Sequence, residues 1–273
     1  MSYPKTLSKE ELEKMYLDAN IDEKKSEFLH DFYLASVNLY GTVVLREMWE
    51  ILKEVAPKCG MKDVKRKDLI AFSSIVRVED VPYYVYEADE LFAKEKRSDL
   101  SRVIVHKSIV DDETLNMDVY NELLRVQGSK PFYMPEDFLS YANTEMTKEE
   151  KELLSFLKES TSTAKSLRKA NKNHNLLRTK QVRLFKWAEE VLGEYKFISS
   201  VSYTTPSDDI NKIVEKLKSA GIDLAQKQIN KLVELMMEFN NNSHKWCNRG
   251  WTPTELREYY HLQKNKLFDK RKS

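Results

Sequence analysis

Apolar residues recur at three- and four-residue spacing along consecutive stretches of the first third of the chain, which is the spacing of one face of an α-helix. The first stretch covers residues 28–40, and Gly41 follows it as a residue that can close a helix at positive φ. Thr42 is then expected to cap a second helix, which Pro57 and Gly60 end. A third helix is predicted over residues 65–76.

Two short β-rich runs follow these helices, at residues 83–86 and 102–105. The polar residues 94–98 between them are expected to form the tip of a hairpin. Three helices followed by a two-stranded hairpin is the winged-helix order, although the same string fits other small α+β units. The predicted fold class is therefore mainly α with a small β-hairpin, in which a winged-helix-like N-terminal unit is followed by a helical C-terminal region.

Later segments are predicted largely from helix-start signals. The capping boxes that begin at Thr147, Thr205 and Thr252 each predict a helix start. The acidic cluster at 111–113 precedes an apolar helical pattern, where carboxylates either complement the helix dipole or bind a divalent metal. The aromatic connector at 130–135 is expected to pack against the preceding domain, with a recognition surface as the alternative.

Composition favours helices over a turn-rich β fold, because 33% of the 273 residues are charged and only six are glycine. No apolar run is long enough to span a membrane, and the first residues carry no apolar signal segment. Cys59 and Cys247 lie far apart and are expected to be free thiols. These features predict a cytoplasmic protein with no membrane partner.

The net charge of +1 conceals a strong imbalance along the chain. Residues 1–160 contain 23 Lys and Arg against 32 Asp and Glu, whereas residues 161–273 contain 22 against 12. A composition shift near Thr161 places the predicted boundary there, between an acidic α+β domain (1–160) and a basic helical domain (161–273). Such a split indicates a charged partner, or halves that face each other within a monomer or a homodimer.

The basic domain begins with a segment, residues 161–188, that contains no acidic residue. A Lys/Arg cluster of this kind releases counterions from phosphates, which indicates a polyanion-binding surface. The alternatives are a helix face that is exposed to solvent, or a basic surface that pairs with the acidic half of the chain. The candidate nucleic-acid-binding residues are Lys165, Arg168, Lys169, Lys172, Arg178, Lys180 and Arg183.

A second and smaller set of candidates lies in the acidic half. Lys65, Arg66 and Lys67 open the third predicted helix, which would be the recognition helix of a winged-helix unit. The acidic surroundings argue against this interpretation, because duplex phosphates repel them.

No motif for catalysis or metal binding is complete. The chain lacks a glycine-rich phosphate loop and a nucleophile motif. His244 and Cys247 have a spacing that suits half of a zinc site, but a structural zinc needs four ligands. No cofactor, catalytic residue or metal site is therefore predicted.

Three segments together resemble an uncharacterised family of bacterial, mostly Gram-positive, proteins that often carry a SEC-C metal-binding tail. They are Asn-Leu-Tyr-Gly at 38–41, Pro-Phe-Tyr-Met-Pro at 131–135, and the Asn/Trp-rich run with Asn-Arg-Gly-Trp-Thr-Pro-Thr-Glu-Leu at 241–256. The tail needs clustered cysteines, and no cysteine follows Cys247. The resemblance therefore implies a bacterial source but neither zinc binding nor an assigned activity.

Taken together, the sequence predicts a non-enzymatic binding protein that engages nucleic acid or another polyanion, such as an acidic protein, through residues 165–186. The alternative is a protein–protein adaptor or regulatory protein with no nucleic-acid contact. In that alternative the acidic half docks a partner or its own basic half.

Overall fold

The computed structural model describes residues 3–92, 98–143, 145–161, 174–203 and 205–270, and only the backbone of residues 174–179, 206 and 266–270. The described chain is mainly helical with a small antiparallel sheet, as the sequence predicts. It divides into two compact units, Met1–Thr144 and Glu145–Ser273. No described helix is long and apolar enough to cross a bilayer.

The first unit places its sheet among six described helices. The helices are α1 Lys9–Asp18, α2 Glu23–Tyr40, α3 Leu45–Lys58, α4 Arg66–Val76, α5 Ala88–Leu91 and α6 Met117–Gln127. The strands are β1 Thr42–Val44, β2 Tyr83–Tyr86, β3 Val103–His106, β4 Val110–Asp111 and β5 Thr114–Leu115. Three short 3-10 helices cover Asp99–Ser101, Lys107–Ile109 and Phe138–Ala142.

The main sheet has the strand order β1-β3-β2, with both pairs antiparallel. The predicted pairing of the two β-rich runs is confirmed, and Val85 lies opposite Ile104. The turn residues 94–97 of the predicted hairpin tip fall outside the described residues. The third strand, β1, was not expected from the sequence.

The expectation that Thr42 caps the second helix is wrong. Thr42 instead belongs to β1, where it lies opposite Val105 and its hydroxyl donates to the carbonyl of Ile104 at 3.2 Å. Helix α3 begins later, at Leu45, whose backbone N–H donates to the carbonyl of Arg102 at 2.8 Å. Pairing with β3 therefore satisfies backbone groups that a helix start would otherwise leave open.

The last turn of α2 holds together segments that are far apart in sequence. The helix ends as predicted at Gly41, whose φ of 75° is one that residues with a side chain rarely adopt. The Tyr40 hydroxyl donates to the carbonyl of Tyr133 at 2.7 Å, and the Asn38 side-chain amide donates to the carbonyl of Tyr141 at 2.8 Å. Gln127, at the end of α6, donates to the carbonyl of Tyr40 at 3.0 Å.

The aromatic connector packs against the first unit, as expected. Phe132, Tyr133 and Met134 lie against the core that α2, α3 and α4 build, and the ring of Phe132 meets that of Tyr40 edge-on at 4.8 Å between centroids. The connector thus forms part of the core boundary.

The acidic cluster at 111–113 does not start a helix, so that expectation is wrong. Asp111 ends β4, and Asp112 and Glu113 form the turn to β5 with φ values of 45° and 61°. Helix α6 begins at Met117, and Asn116 provides its cap by accepting from the N–H of Val119 at 3.2 Å. Asn116 can perform this role because its short side chain bonds the first free N–H groups of a helix.

The second unit consists of helices in its described residues. They are α7 Lys148–Thr161, α8 His174–Val201, α9 Pro206–Ser219, α10 Gln226–Asn242 and α11 Pro253–Lys270, with a 3-10 helix at Trp246–Asn248. Their shared core is built from buried residues of α7 to α10, among them Leu157, Leu192, Leu217 and Phe239.

Helix α7 explains why the units divide before the composition shift at Thr161. Leu153 and Leu157 are fully buried in the core of the second unit, where α7 packs against α8 and α10. The change in charge near Thr161 therefore marks a change of surface composition, whereas burial of the apolar face of α7 decides to which unit the helix belongs.

We expect Tyr40→Phe to lower the free energy of unfolding of the first unit by about 1–3 kcal/mol, because it leaves the carbonyl of Tyr133 without its donor. Urea denaturation measures the loss, and hydrogen exchange should show it in residues 131–142. The matched control is Tyr84→Phe, since Tyr84 is half-buried and its hydroxyl has no hydrogen-bond partner among the described residues. An equal loss in both variants would contradict the role of the Tyr40 hydroxyl.

We expect Leu157→Ala to destabilise the second unit by about 2–5 kcal/mol, because the side chain is fully buried in that core. Hydrogen–deuterium exchange should show reduced protection in α7, α8 and α10 but not in α2 to α4. Val182→Ala removes apolar atoms from a side chain that is 60% exposed and should change stability by less than about 0.5 kcal/mol. Loss of protection confined to the first unit would refute the assignment of α7.

Candidate nucleic-acid interface

The sequence-predicted cations Lys65, Arg66 and Lys67 lie together at the start of α4, and all three are exposed. Within the described residues, none of the three has a carboxylate oxygen within 4.0 Å of its cationic nitrogen. The one acidic residue of this turn, Asp68, is 4% exposed, and its carboxylate accepts from the N–H of Lys65 at 2.8 Å. The first turn of α4 therefore presents cations while its acid is used in capping.

The end of α3 and the turn that follows it add two further cations, Lys58 and Lys62, which sequence reasoning missed. Both are exposed, and the described residues provide no carboxylate partner for either one. Their position in the sequence could have indicated their exposure, because polar residues at a short connection between two packed helices lie at the surface. We call Lys58, Lys62, Lys65, Arg66 and Lys67 the α4 basic cluster.

Asp63 is the sole acidic residue among residues 58–67, and an ion pair neutralises it. The ammonium of Lys25, at the start of α2, lies 2.9 Å from its carboxylate. This hydrogen-bonded pair raises the pKa of Lys25 and lowers the pKa of Asp63. Because Asp63 is already paired, it opposes an approaching anion less than a free carboxylate would.

Core packing fixes the orientation of α4. Leu69 and Phe72 are fully buried, and the hydroxyl of the buried Tyr33 donates to the carbonyl of Leu69 at 3.0 Å. Met61 and Val64 are also buried, so the turn before α4 is anchored from within. The α4 basic cluster is consequently held on a rigid scaffold, which lowers the entropic cost of aligning it with a ligand.

A buried ion network connects α4 to the sheet. The guanidinium of Arg102 donates to the hydroxyls of Ser73 and Ser74 at 2.6 and 2.8 Å, and to the carboxylate of Glu87 at 3.0 Å. Arg77, just after α4, pairs with Glu87 and Glu90. Glu87 and Glu90 are thus paired with arginines, whereas the described residues provide no carboxylate partner for the cations at the N-terminal end of α4.

The basic stretch of the second unit is only partly described. Lys165, Arg168, Lys169 and Lys172 fall outside the described residues, and Arg178 belongs to α8 with its backbone alone described. Lys180 is half-exposed, while Arg183 and the neighbouring Lys186 are exposed, all three in α8. No described carboxylate lies within 4.0 Å of Arg183 or Lys186.

Several other cations of the second unit are paired with carboxylates of the same unit. Lys158 bonds Glu189 at 2.6 Å, Lys196 bonds Glu150 at 2.7 Å, and Lys216 bonds Glu194 at 2.5 Å. The described part of α8 therefore separates into a paired region after residue 188 and a region before it where Arg183 and Lys186 are open to solution.

No group of three or more His, Cys, Asp or Glu side chains in the described part of the chain is arranged to hold a metal ion. His244 instead bonds the carbonyl of Gly250 through Nδ1 at 2.6 Å, and Cys247 is a fully buried free thiol. The spacing of these two residues therefore reflects a compact loop in which each has a different environment.

Comparison with protein-family models, with curated proteins and with solved structures finds no match to this chain.

Proposed function

We propose that the protein binds nucleic acid, with the α4 basic cluster as the principal contact surface of the first unit. The observation that carries this proposal is the concentration of five exposed cations, none with a described carboxylate partner, within ten consecutive residues. Each such cation can displace a condensed counterion from a phosphate, which is the main source of non-specific affinity for nucleic acid.

The arrangement of the first unit supports a winged-helix interpretation of this surface. Helices α2, α3 and α4 are followed by the hairpin β2–β3, and β1 lies between α2 and α3 and pairs with β3. In a helix-turn-helix the second helix enters the major groove with its N-terminal residues foremost. In the proposed interpretation α4 is that second helix, and Lys65, Arg66 and Lys67 lie at its N-terminal end.

The net negative charge of the first unit limits nucleic-acid binding to its locally basic surface. Residues 1–144 contain 20 Lys and Arg against 27 Asp and Glu, so the unit as a whole repels a polyanion. Attraction must then come from the short-range field of the α4 basic cluster, to which the N-terminal end of α4 adds its dipole. This arrangement favours one orientation of the unit on the ligand.

The basic stretch of the second unit would supply additional phosphate contacts. Residues 145–273 contain 25 Lys and Arg against 17 Asp and Glu, and Arg183 and Lys186 are exposed. The remaining candidates, Lys165, Arg168, Lys169, Lys172, Arg178 and Lys180, share the same acid-free segment of sequence. We propose that this segment strengthens binding without reading sequence, as phosphate contacts do.

We expect the triple variant K65A/R66A/K67A to bind a mixed-sequence duplex at least tenfold more weakly than the unaltered protein at low salt. The logarithm of the binding constant falls linearly with the logarithm of the salt concentration, and for the variant this slope should be less steep. The expected change is about 0.9 for each phosphate that the variant no longer neutralises. Fluorescence anisotropy between about 50 and 200 mM salt measures both quantities.

The matched control for this experiment is K5A/K9A/K14A, which removes the same charge from three exposed lysines at the start of the same unit. It should retain the affinity and the salt slope within about twofold, because scattered surface charges act only at long range. Equal losses in both triples would show that net charge alone is responsible. Absence of duplex binding by the unaltered protein at low salt would refute nucleic-acid binding and leave the adaptor hypothesis.

We expect K165A/R168A/K169A/K172A to weaken duplex binding independently of the α4 substitutions, so that the two effects add in free energy. The control is K148A/K151A/K227A/K231A, four exposed lysines of α7 and α10. If the first quadruple variant binds as tightly as its control, the basic stretch is a solvated surface and the α4 basic cluster acts alone.

A further inference from the structure

Lys245 is a buried cation without a counter-ion in the described structure. The residue is 4% exposed and follows α10 in the segment that leads to the 3-10 helix Trp246–Asn248. Its ammonium donates to the hydroxyl of Ser199 at 2.9 Å and to the side-chain oxygen of Asn240 at 3.2 Å, both neutral acceptors. It also lies 4.6 Å from the centroid of the Phe239 ring.

No described carboxylate lies within 4.0 Å of the Lys245 ammonium. Glu150 is paired with Lys196 at 2.7 Å, and Asp209 influences Lys245 only across a longer distance. Buried charges in proteins are normally paired, because removing an ion from water costs several kcal/mol that only a close counter-charge offsets. An ammonium that is held by neutral oxygens and an aromatic face retains most of that cost.

A cavity of about 160 Å³ is lined in part by Lys245. Ser199 and Asn240, the two residues that hold the ammonium, also line the cavity. Ser202 and Asn241 add a hydroxyl and an amide for which the described residues provide no side-chain partner. Cys247 and Pro253 form an apolar part of the lining.

We propose that this cavity is a binding site for a small carboxylate ligand, whose anionic end pairs with Lys245 and whose carbon chain lies against Cys247 and Pro253. One cation accompanied by neutral hydroxyl and amide donors suits a singly charged anion better than a doubly charged one. The apolar wall favours an organic carboxylate over an inorganic anion. This site is distinct from the α4 basic cluster and does not depend on nucleic-acid binding.

The ionisation of Lys245 agrees with this role. Burial lowers its pKa to about 8, while Cys247, Asp209 and Glu150 act to raise it and Lys196 acts to lower it. The amine is therefore mainly protonated at pH 7, and a bound carboxylate would stabilise the protonated form further. Because only the ammonium pairs with the anion, the affinity must fall as pH rises through about 8.

The experiment is isothermal titration calorimetry of the full chain with sodium butyrate at pH 7, compared with sodium chloride and inorganic phosphate at equal ionic strength. We expect butyrate to bind with a dissociation constant of about 1 mM, because a ligand with so few atoms can make only a few contacts. Its affinity should be at least about tenfold higher than that of chloride or phosphate. Above pH 8 the butyrate affinity should fall towards tenfold per pH unit.

Lys245→Met should fold, because an apolar side chain of similar length replaces a buried cation that has no described counter-ion, and it should abolish butyrate binding. The matched control, Lys212→Met, alters an exposed lysine of α9 and should leave binding unchanged. Should Lys245→Met not fold, Asn241→Leu tests the same cavity wall, and a loss of affinity there supports the site.

Three results would overturn the proposal: equal affinity for butyrate and chloride, no pH dependence between pH 7 and about 10, or butyrate binding by Lys245→Met equal to that of the unaltered protein. If Asn241→Leu is the variant used, unchanged butyrate affinity overturns the proposal in the same way. Duplex binding by the same samples is measured separately, so failure of one proposal is distinguishable from failure of the other.

Discussion

The burial of the last turn of α2 is the constraint on which the first unit depends. Tyr40 is fully buried, yet its hydroxyl and its backbone carbonyl each bond a segment more than eighty residues away. A buried polar group that lost its partner would cost about 1–3 kcal/mol, so these bonds specify where α6 and the connector lie. Gly41 then turns the chain directly into β1, and β1 pairs with β3. Helix, connector and sheet therefore meet at one short segment.

In the first unit, paired charges lie in the interior, whereas the cations of the α4 basic cluster lie at the surface. Arg102 and Glu87 lie in the interior, where they bond each other and Arg102 also bonds the hydroxyls of α4. Such a network contributes specificity of arrangement, since its members are costly to bury unless they are paired. The α4 basic cluster lies at the opposite end of the same helix and remains exposed without described carboxylate partners. A unit with an excess of acidic residues can thus carry a locally basic surface, which net charge alone would not indicate.

The second unit shows how a single buried cation differs from exposed ones. Lys158 and Lys216 pair with exposed carboxylates, where water screens the interaction and the gain is small. Lys196 is itself half-exposed to water and pairs with the buried carboxylate of Glu150. Lys245 lies in the interior with neutral partners, and its environment shifts its pKa towards neutrality. Burial therefore makes this lysine chemically unlike the others, although all four are the same residue type.

The sequence by itself determined the elements that depend on local periodicity: α2, α3, α4 and the strands β2 and β3, together with the presence of cations at residues 65–67. Tertiary structure decided what depends on distant partners. The strand β1 has three residues and exists because β3, some sixty positions later, supplies its hydrogen bonds. Likewise, the neutralisation of Asp63 by Lys25, the membership of α7 in the second unit, and the burial of Lys245 follow from packing between segments. Periodicity reports which face of an element is apolar, but it does not report which other segment covers that face.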